Sequence, residues 1–179
     1  QAQAQQTPPA VKLDAAQMDC SGVLLDFQRP GSKDALAFAK TLLNALSCPV
    51  AVSQVYGKEL RCPVFLPPVP AHMALKNYIF PWKDREIWLD VSPEAETITL
   101  TEMGAVLSSL PGFQPRGEGH TEKALHCHYS IALTENTAEF TLWRTGNDLL
   151  TLLEEAEDCG IRTAVGLYQE LGLWNGTDP

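Results

Sequence analysis

The sequence predicts an α+β domain in which an antiparallel sheet carries helices on one face, and three observations point there. Apolar residues alternate with polar ones from Leu125 to Leu133 and again from Ala138 to Trp143, the pattern of half-buried strands. Leucines recur at helical spacing behind capping residues in two stretches, after Ser32 and after Asn147. With 45% apolar and 20% charged side chains, the 179 residues have ordinary globular composition. A chain of this length buries roughly 70% of its unfolded surface, enough for one core without covalent staples.

Residues 1–12 lack periodicity and read as a disordered N-terminal tail, which leaves 13–179 as a single α+β domain. Ordered structure is expected from about Cys20, where Val23, Leu25 and Phe27 alternate along a strand. Arg29-Pro30-Gly31 turns the chain, and Ser32 caps a helix that carries Leu36, Ala39, Leu42, Leu43 and Leu46 on one side. The runs from Val50 to Tyr56 and from Leu60 to Leu66 read as a hairpin closed around Gly57-Lys58, with Pro63 demoting the second to an edge. Pro67-Pro68-Val69-Pro70 is a rigid, extended crossing between the halves. The aromatic stretch from His72 to Trp82 follows as a short helical turn covering the core. Ile87, Leu89 and Val91 define a strand, and Ile98 with Leu100 the next.

Met103, Val106, Leu107 and Leu110 then have helical spacing behind Thr101, so a helix is expected up to Pro111-Gly112. A glycine-bearing loop from Gln114 to Glu122 leads into the central hairpin. Residues directly opposite in an antiparallel pair share a face, so joining its strands through Thr134-Glu135-Asn136-Thr137 sets Ile131 against Phe140, Tyr129 against Leu142 and His128 beside Trp143. Asn147 is placed to cap a helix from Leu149 to Ala156 that Gly160 ends, and Ile161, Ala164, Val165, Tyr168 and Leu171 suggest a last helix. Strand, helix and hairpin thus occur twice, from Val23 to Leu66 and from Ile98 to Arg144. Two βαββ units are therefore an alternative description, although the residues do not repeat.

Thirteen basic side chains against twenty-two acidic ones give a net charge of −9, a field that repels polyanions and disfavours nucleic acid and anionic membrane as partners. No run reaches the ~18 apolar residues of a membrane helix. The polar opening QAQAQQTPPA resembles the residue left behind a signal-peptidase site, and five cysteines fit an oxidising compartment, so a periplasmic or secreted protein with at least one disulfide is expected. Cys20, Cys48, Cys62, Cys127 and Cys159 leave one thiol over, and spacing does not choose among the fifteen possible frameworks.

His126 and His128 lie two apart on a strand, about 7 Å apart at the backbone, a spacing that can chelate zinc or copper. His120 could swing in as a third ligand and Glu118 or Glu139 supply an oxygen; no HExxH or CxxC accompanies them, and no cofactor is expected. Alternation points Cys127 away from both rings, so it reads as a core residue or half-cystine rather than a nucleophile. Arg116-Gly117-Glu118-Gly119 lacks the strand-to-helix setting of a phosphate loop, no serine sits in a GxSxG elbow, and Asn175-Gly176-Thr177 is an isolated glycosylation match.

Glu154, Glu155, Glu157 and Asp158 crowd a helix C-terminus, where each is unfavourable by a few tenths of a kcal/mol, so a recognition surface for a cationic partner explains them alongside a merely solvated face. Tyr78 and Trp82 offer a second contact region. These features lead to an exported, non-enzymatic protein-binding domain of the inhibitor or immunity type, whose acidic surface meets a basic protein. The alternative is a metal-dependent enzyme built on the His126-x-His128 strand. The order helix, strands, helix, hairpin, helix in an acidic chain also resembles the type III secretion chaperone-like fold over roughly two thirds of the chain, which implies a chaperone-like dimer.

Overall fold

The computed structural model describes residues 21–117 and 119–166. The expected tail, Cys20, Glu118, the end of the last helix and the glycosylation match at Asn175 lie outside the described residues. Among the described residues the fold is mixed, with three α-helices and two five-stranded sheets of opposite kind, where the sequence reading has one antiparallel sheet.

The first sheet is wholly parallel. Its strands β1 (Val23–Leu25), β2 (Val50–Ser53), β3 (Val64–Leu66), β4 (Ile87–Asp90) and β10 (Thr163–Val165) lie in that order. Register puts Leu25, Val52 and Val64 on one face with Ile87. Helix α1 (Lys33–Ala45) covers Val52 through Ala39, and α2 (Leu75–Ile79) and α3 (Gly146–Asp158) cover Val64, Leu66 and Leu89 through Leu75, Leu149 and Leu152. All three helices therefore share one face of this sheet. Ser32 caps α1 as expected, accepting from the Ala35 N–H.

Several expectations are overturned here. The runs around Gly57-Lys58 form no hairpin, because β2 and β3 are parallel. A 3-10 turn (Gln54–Tyr56) and a loop separate them, and the Arg85 guanidinium holds that loop by donating to the carbonyls of Gly57, Leu60 and Cys62 at 2.6, 2.6 and 2.5 Å. Pro63 does not mark an edge. It precedes a central strand and contributes only its carbonyl, which accepts from the Val52 N–H. Thr163–Val165 pairs in parallel with β4 where a last helix was expected.

The second sheet is antiparallel, in the order β6 (Gly104–Ser109), β5 (Ala95–Thr101), β9 (Ala138–Trp143), β8 (Cys127–Leu133), β7 (His120–Glu122). The expected helix behind Thr101 is the strand β6. A tight turn folds it back onto β5, with Gly104 at φ 129°, a conformation that L side chains rarely adopt. That removes the helix on which both the duplicated βαββ description and the chaperone-like resemblance depend. The hairpin register agrees with expectation: Ile131 faces Phe140, Tyr129 faces Leu142 and His128 faces Trp143. Helix α3 follows, capped by Thr145 rather than Asn147, and Gly160 succeeds it in the left-handed region.

Candidate functional site

Two regions of the antiparallel sheet carry unusual chemistry, its inner end, where it joins the parallel sheet and α3, and its outer half. At the inner end Arg144 is buried, one residue beyond β9. Its guanidinium donates to the carbonyls of Val69 and Pro70 in the proline-rich crossing and to those of Leu125 and His126 before β8. Arg144 thus satisfies two loops that form no ladder of their own. Burial lowers its pKa, an effect that the nearby Cys127, Glu96 and Asp148 oppose.

Three histidines surround this junction, and each meets a carboxylate. His72 lies against Glu96, with both its backbone N and its Nδ1 within 2.7 Å of Oε1. His128 Nδ1 lies 2.8 Å from Asp148 Oδ2, and its ring stacks on Trp143 with centroids 6.0 Å apart. His126 Nε2 lies 3.1 Å from Glu155 Oε2. His126 does not belong to the strand. It closes the turn before β8 at φ 48°, where its carbonyl is aimed at Arg144. His120 lies instead against Tyr129, the rings tilted by 36° with centroids 5.3 Å apart. The three expected metal ligands are thus directed to three different neighbours, and among the described residues no group of three or more His, Cys, Asp or Glu side chains converges as a metal site.

Cys127 points to the opposite face from His128, as alternation requires, and is fully buried beside Ala71 and Leu142. Burial pushes its thiol up to about 11, so it is protonated and sheltered at neutral pH. Among the described residues no serine, threonine or cysteine side chain is hydrogen-bonded to His126 or His128. The pairs His128–Asp148 and His126–Glu155 orient the hairpin on α3.

The expected recognition acids divide. Glu155 turns inward to His126 and also lies 3.6 Å from Lys76. Glu157 pairs with Arg162 at 2.6 Å, while Glu154 and Asp158 are exposed. Tyr78 and Trp82 are half-buried against the core under α3, and Tyr78 donates to the Pro67 carbonyl. Phe80, between them, is the exposed ring.

The outer half of the sheet is where apolar surface is unspent. Register aligns Leu107, Ile98, Phe140 and Ile131 in one row and Ala105, Leu100, Ala138 and Leu133 in the next, all on one face. That field is four strands, or about 15 Å, across. At its inner end the same face is covered by the crossing at Ala71 and His72. Further out it opens, and Leu133 is 75% exposed, Leu107 53% and Ile131 47%. Charges in segments 97–109 and 129–142 are Glu102, Glu135 and Glu139, all acidic and all exposed. Single-strand alternation marks Ile131 and Leu133 as inward-facing, so this surface was visible only once the pairing of β5 with β6 and β9 was known.

No protein family, curated protein or solved structure matches the chain. Among the described residues no helix is long and apolar enough to cross a membrane.

Proposed function

We propose that this chain is a non-enzymatic protein-binding domain that meets a basic protein partner through the outer half of its antiparallel sheet. The observation that carries the reading is the pair of contiguous apolar rows ending at Leu107, Leu133 and Ile131, exposed on a face whose inner half is covered. Contiguous exposed apolar surface with polar flanks is characteristic of interaction sites. The acidic residues around it favour encounter with positive charge. An exported inhibitor or immunity-type protein is the role this fits, since a preformed sheet face can act by covering what it binds.

The test compares wild type with an Ile131→Ser/Leu133→Ser variant. Partners are captured by cross-linking from the native source and identified, and their affinities are then measured by calorimetry. The variant should lose little melting temperature, because Leu133 is mostly and Ile131 about half exposed, and should lose binding at least about tenfold. Equal affinity of both proteins for the identified partner would sink the reading.

A further inference from the structure

The geometry points to strand addition as the way this sheet takes its partner: an extended segment, apolar at alternate residues and flanked by lysine or arginine, pairs with the free edge of β6. The inference rests on the binding reading above and deepens it, because it specifies an edge and a backbone conformation as well as a face.

Among the described residues strand β6 is the end of its sheet, and it is exposed throughout. The Leu110 N–H donates to the Ala95 carbonyl, so the pair Leu110–Ala95 is hydrogen-bonded. Antiparallel pairs alternate between bonded and non-bonded. By register, Ser108–Thr97, Val106–Thr99 and Gly104–Thr101 are then bonded, and Ser109–Glu96, Leu107–Ile98 and Ala105–Leu100 are not. The N–H and C=O groups of Ala105, Leu107 and Ser109 consequently face outward, away from β5.

Exposed edges are ordinarily blunted by a charge, a proline or a bulge. Gly104–Ser109 has neither charge nor proline, and its ladder with β5 runs without interruption over six residue pairs. The outward-facing groups belong to the same residues whose side chains lie in the apolar field, Ala105 and Leu107. A strand added here continues both the hydrogen-bond ladder and the apolar rows, placing its alternate side chains beside Leu107 and Ala105.

Charge selects the occupant. The edge turn carries Glu102 and the neighbouring hairpin turn Glu135, with no basic residue among segments 97–109 and 129–142, while Glu139 lies on the opposite face. A second copy joined edge to edge would bring together two chains of net charge −9 each, and that mutual repulsion opposes it. A foreign strand with basic flanks meets opposite charge instead.

The probes are two synthetic peptides, Lys-Lys-Val-Thr-Ile-Thr-Val-Lys-Lys and its counterpart with four flanking glutamates, titrated into the full chain with amide exchange followed by NMR. The lysine peptide is expected to bind about tenfold tighter than the glutamate peptide, as a few exposed ion pairs allow. It should also slow exchange at Ala105, Leu107 and Ser109. Leu107→Pro removes an outward donor without touching the bonds to β5 and should weaken binding at least about tenfold beyond Leu107→Ser, which loses the same apolar side chain but keeps the donor. If the proline variant does not fold, the exchange pattern in wild type decides alone. No binding, equal binding of both peptides, or unchanged exchange at those three amides overturns the inference. So does a dimer that Leu107→Pro dissolves, which would make a second copy the occupant. Weakening by Ile131→Ser/Leu133→Ser but none by Leu107→Pro beyond Leu107→Ser overturns the edge and leaves the face reading intact, and the reverse pattern keeps the edge and overturns the face.

Discussion

Asp148 Oδ2 lies 2.8 Å from His128 Nδ1 and 2.7 Å from the Thr145 amide nitrogen, so one carboxylate oxygen joins the central hairpin to the first turn of α3. The Thr145 hydroxyl oxygen in turn accepts from the Asp148 N–H, which completes a capping box. The helix therefore starts where the hairpin ends, and the connection of only Arg144 and Thr145 between Trp143 and Gly146 leaves little freedom in how they meet.

Replacing Asp148 by Ala removes the box and the histidine contact together. The Thr145 hydroxyl still accepts from the N–H of residue 148, so the lost bond from the Thr145 N–H costs about 0.5 kcal/mol and the lost histidine contact adds about 1.5 kcal/mol. Urea unfolding should show Asp148→Ala destabilised by about 2 kcal/mol, and Asp148→Asn by less, because the amide oxygen still caps. If His128→Ala in the Asp148→Ala background costs as much as it does in wild type, the two residues are not coupled.

Arg144 offers a larger effect. Its guanidinium bonds the carbonyls of Val69, Pro70, Leu125 and His126 in a buried setting. An apolar replacement leaves those acceptors to find other partners, and each buried unsatisfied group costs about 1–3 kcal/mol. Arg144→Met should lose about 3 kcal/mol or more and release the crossing, seen as faster amide exchange around Ala71. Arg144→Lys should recover only part of the loss, since one ammonium cannot reach four divergent carbonyls.

Part of this arrangement is legible in the sequence. Period-two alternation fixed the register of Ile131 with Phe140 and of His128 with Trp143, because a one-residue slip would have sent His128 to the core face. The Thr145-x-x-Asp148 spacing is itself a capping signal, but Asn147 stands closer to the first leucine and drew the assignment. Segment 101–110 deceived because Met103, Val106, Leu107 and Leu110 fit a helical stripe. That reading requires a surface on which to bury the stripe, and Met103 is 99% exposed. Gly104 was the available warning. Val50–Ser53 and Val64–Leu66 are buried at every residue, the mark of a parallel strand covered on both faces, whereas the nearby Gly57 suggested a turn. The role of Arg144 had no local signature, because its acceptors lie as far as 75 residues away.

Cys127 supplies a chemical prediction. Raising a thiol from 9.0 to about 11 leaves about a hundredfold less thiolate at neutral pH, before shielding is counted. Cys127 should therefore resist a disulfide reagent in the native protein and react on unfolding, as should the buried Cys62, whose thiol burial also raises. Any stabilisation linked to the Cys127 proton is fully present below pH 9.0 and is lost as pH rises through about 11. The stability difference between wild type and Cys127→Ala should accordingly shrink above pH 9.0. Rapid native labelling of Cys127 would contradict its burial. Titration of all five thiols under denaturing conditions also checks the expected disulfide, which among the described residues involves none of Cys62, Cys127 and Cys159.

The acidic end of α3 separates structural from solvated charge. Glu154 and Asp158 are exposed near a helix C-terminus, where negative charge opposes the macrodipole, so Glu154→Gln and Asp158→Asn should each stabilise by a few tenths of a kcal/mol. Glu155 stands on the same turn yet meets His126 at 3.1 Å and Lys76 at 3.6 Å, with its side chain 24% exposed. Neutralising it removes the same unfavourable dipole term but also weakens two contacts that tie α3 to the hairpin and to α2. The contacts should outweigh the dipole, and Glu155→Gln should destabilise by about 1 kcal/mol. Thermal unfolding of the three single variants at low and moderate salt checks the contrast. Salt should erode the gains at Glu154 and Asp158 more than the loss at Glu155, because partly buried pairs are less screened. Stabilisation by Glu155→Gln would place that carboxylate with the solvated ones and leave Arg144 and Asp148 to hold the hairpin on the helix.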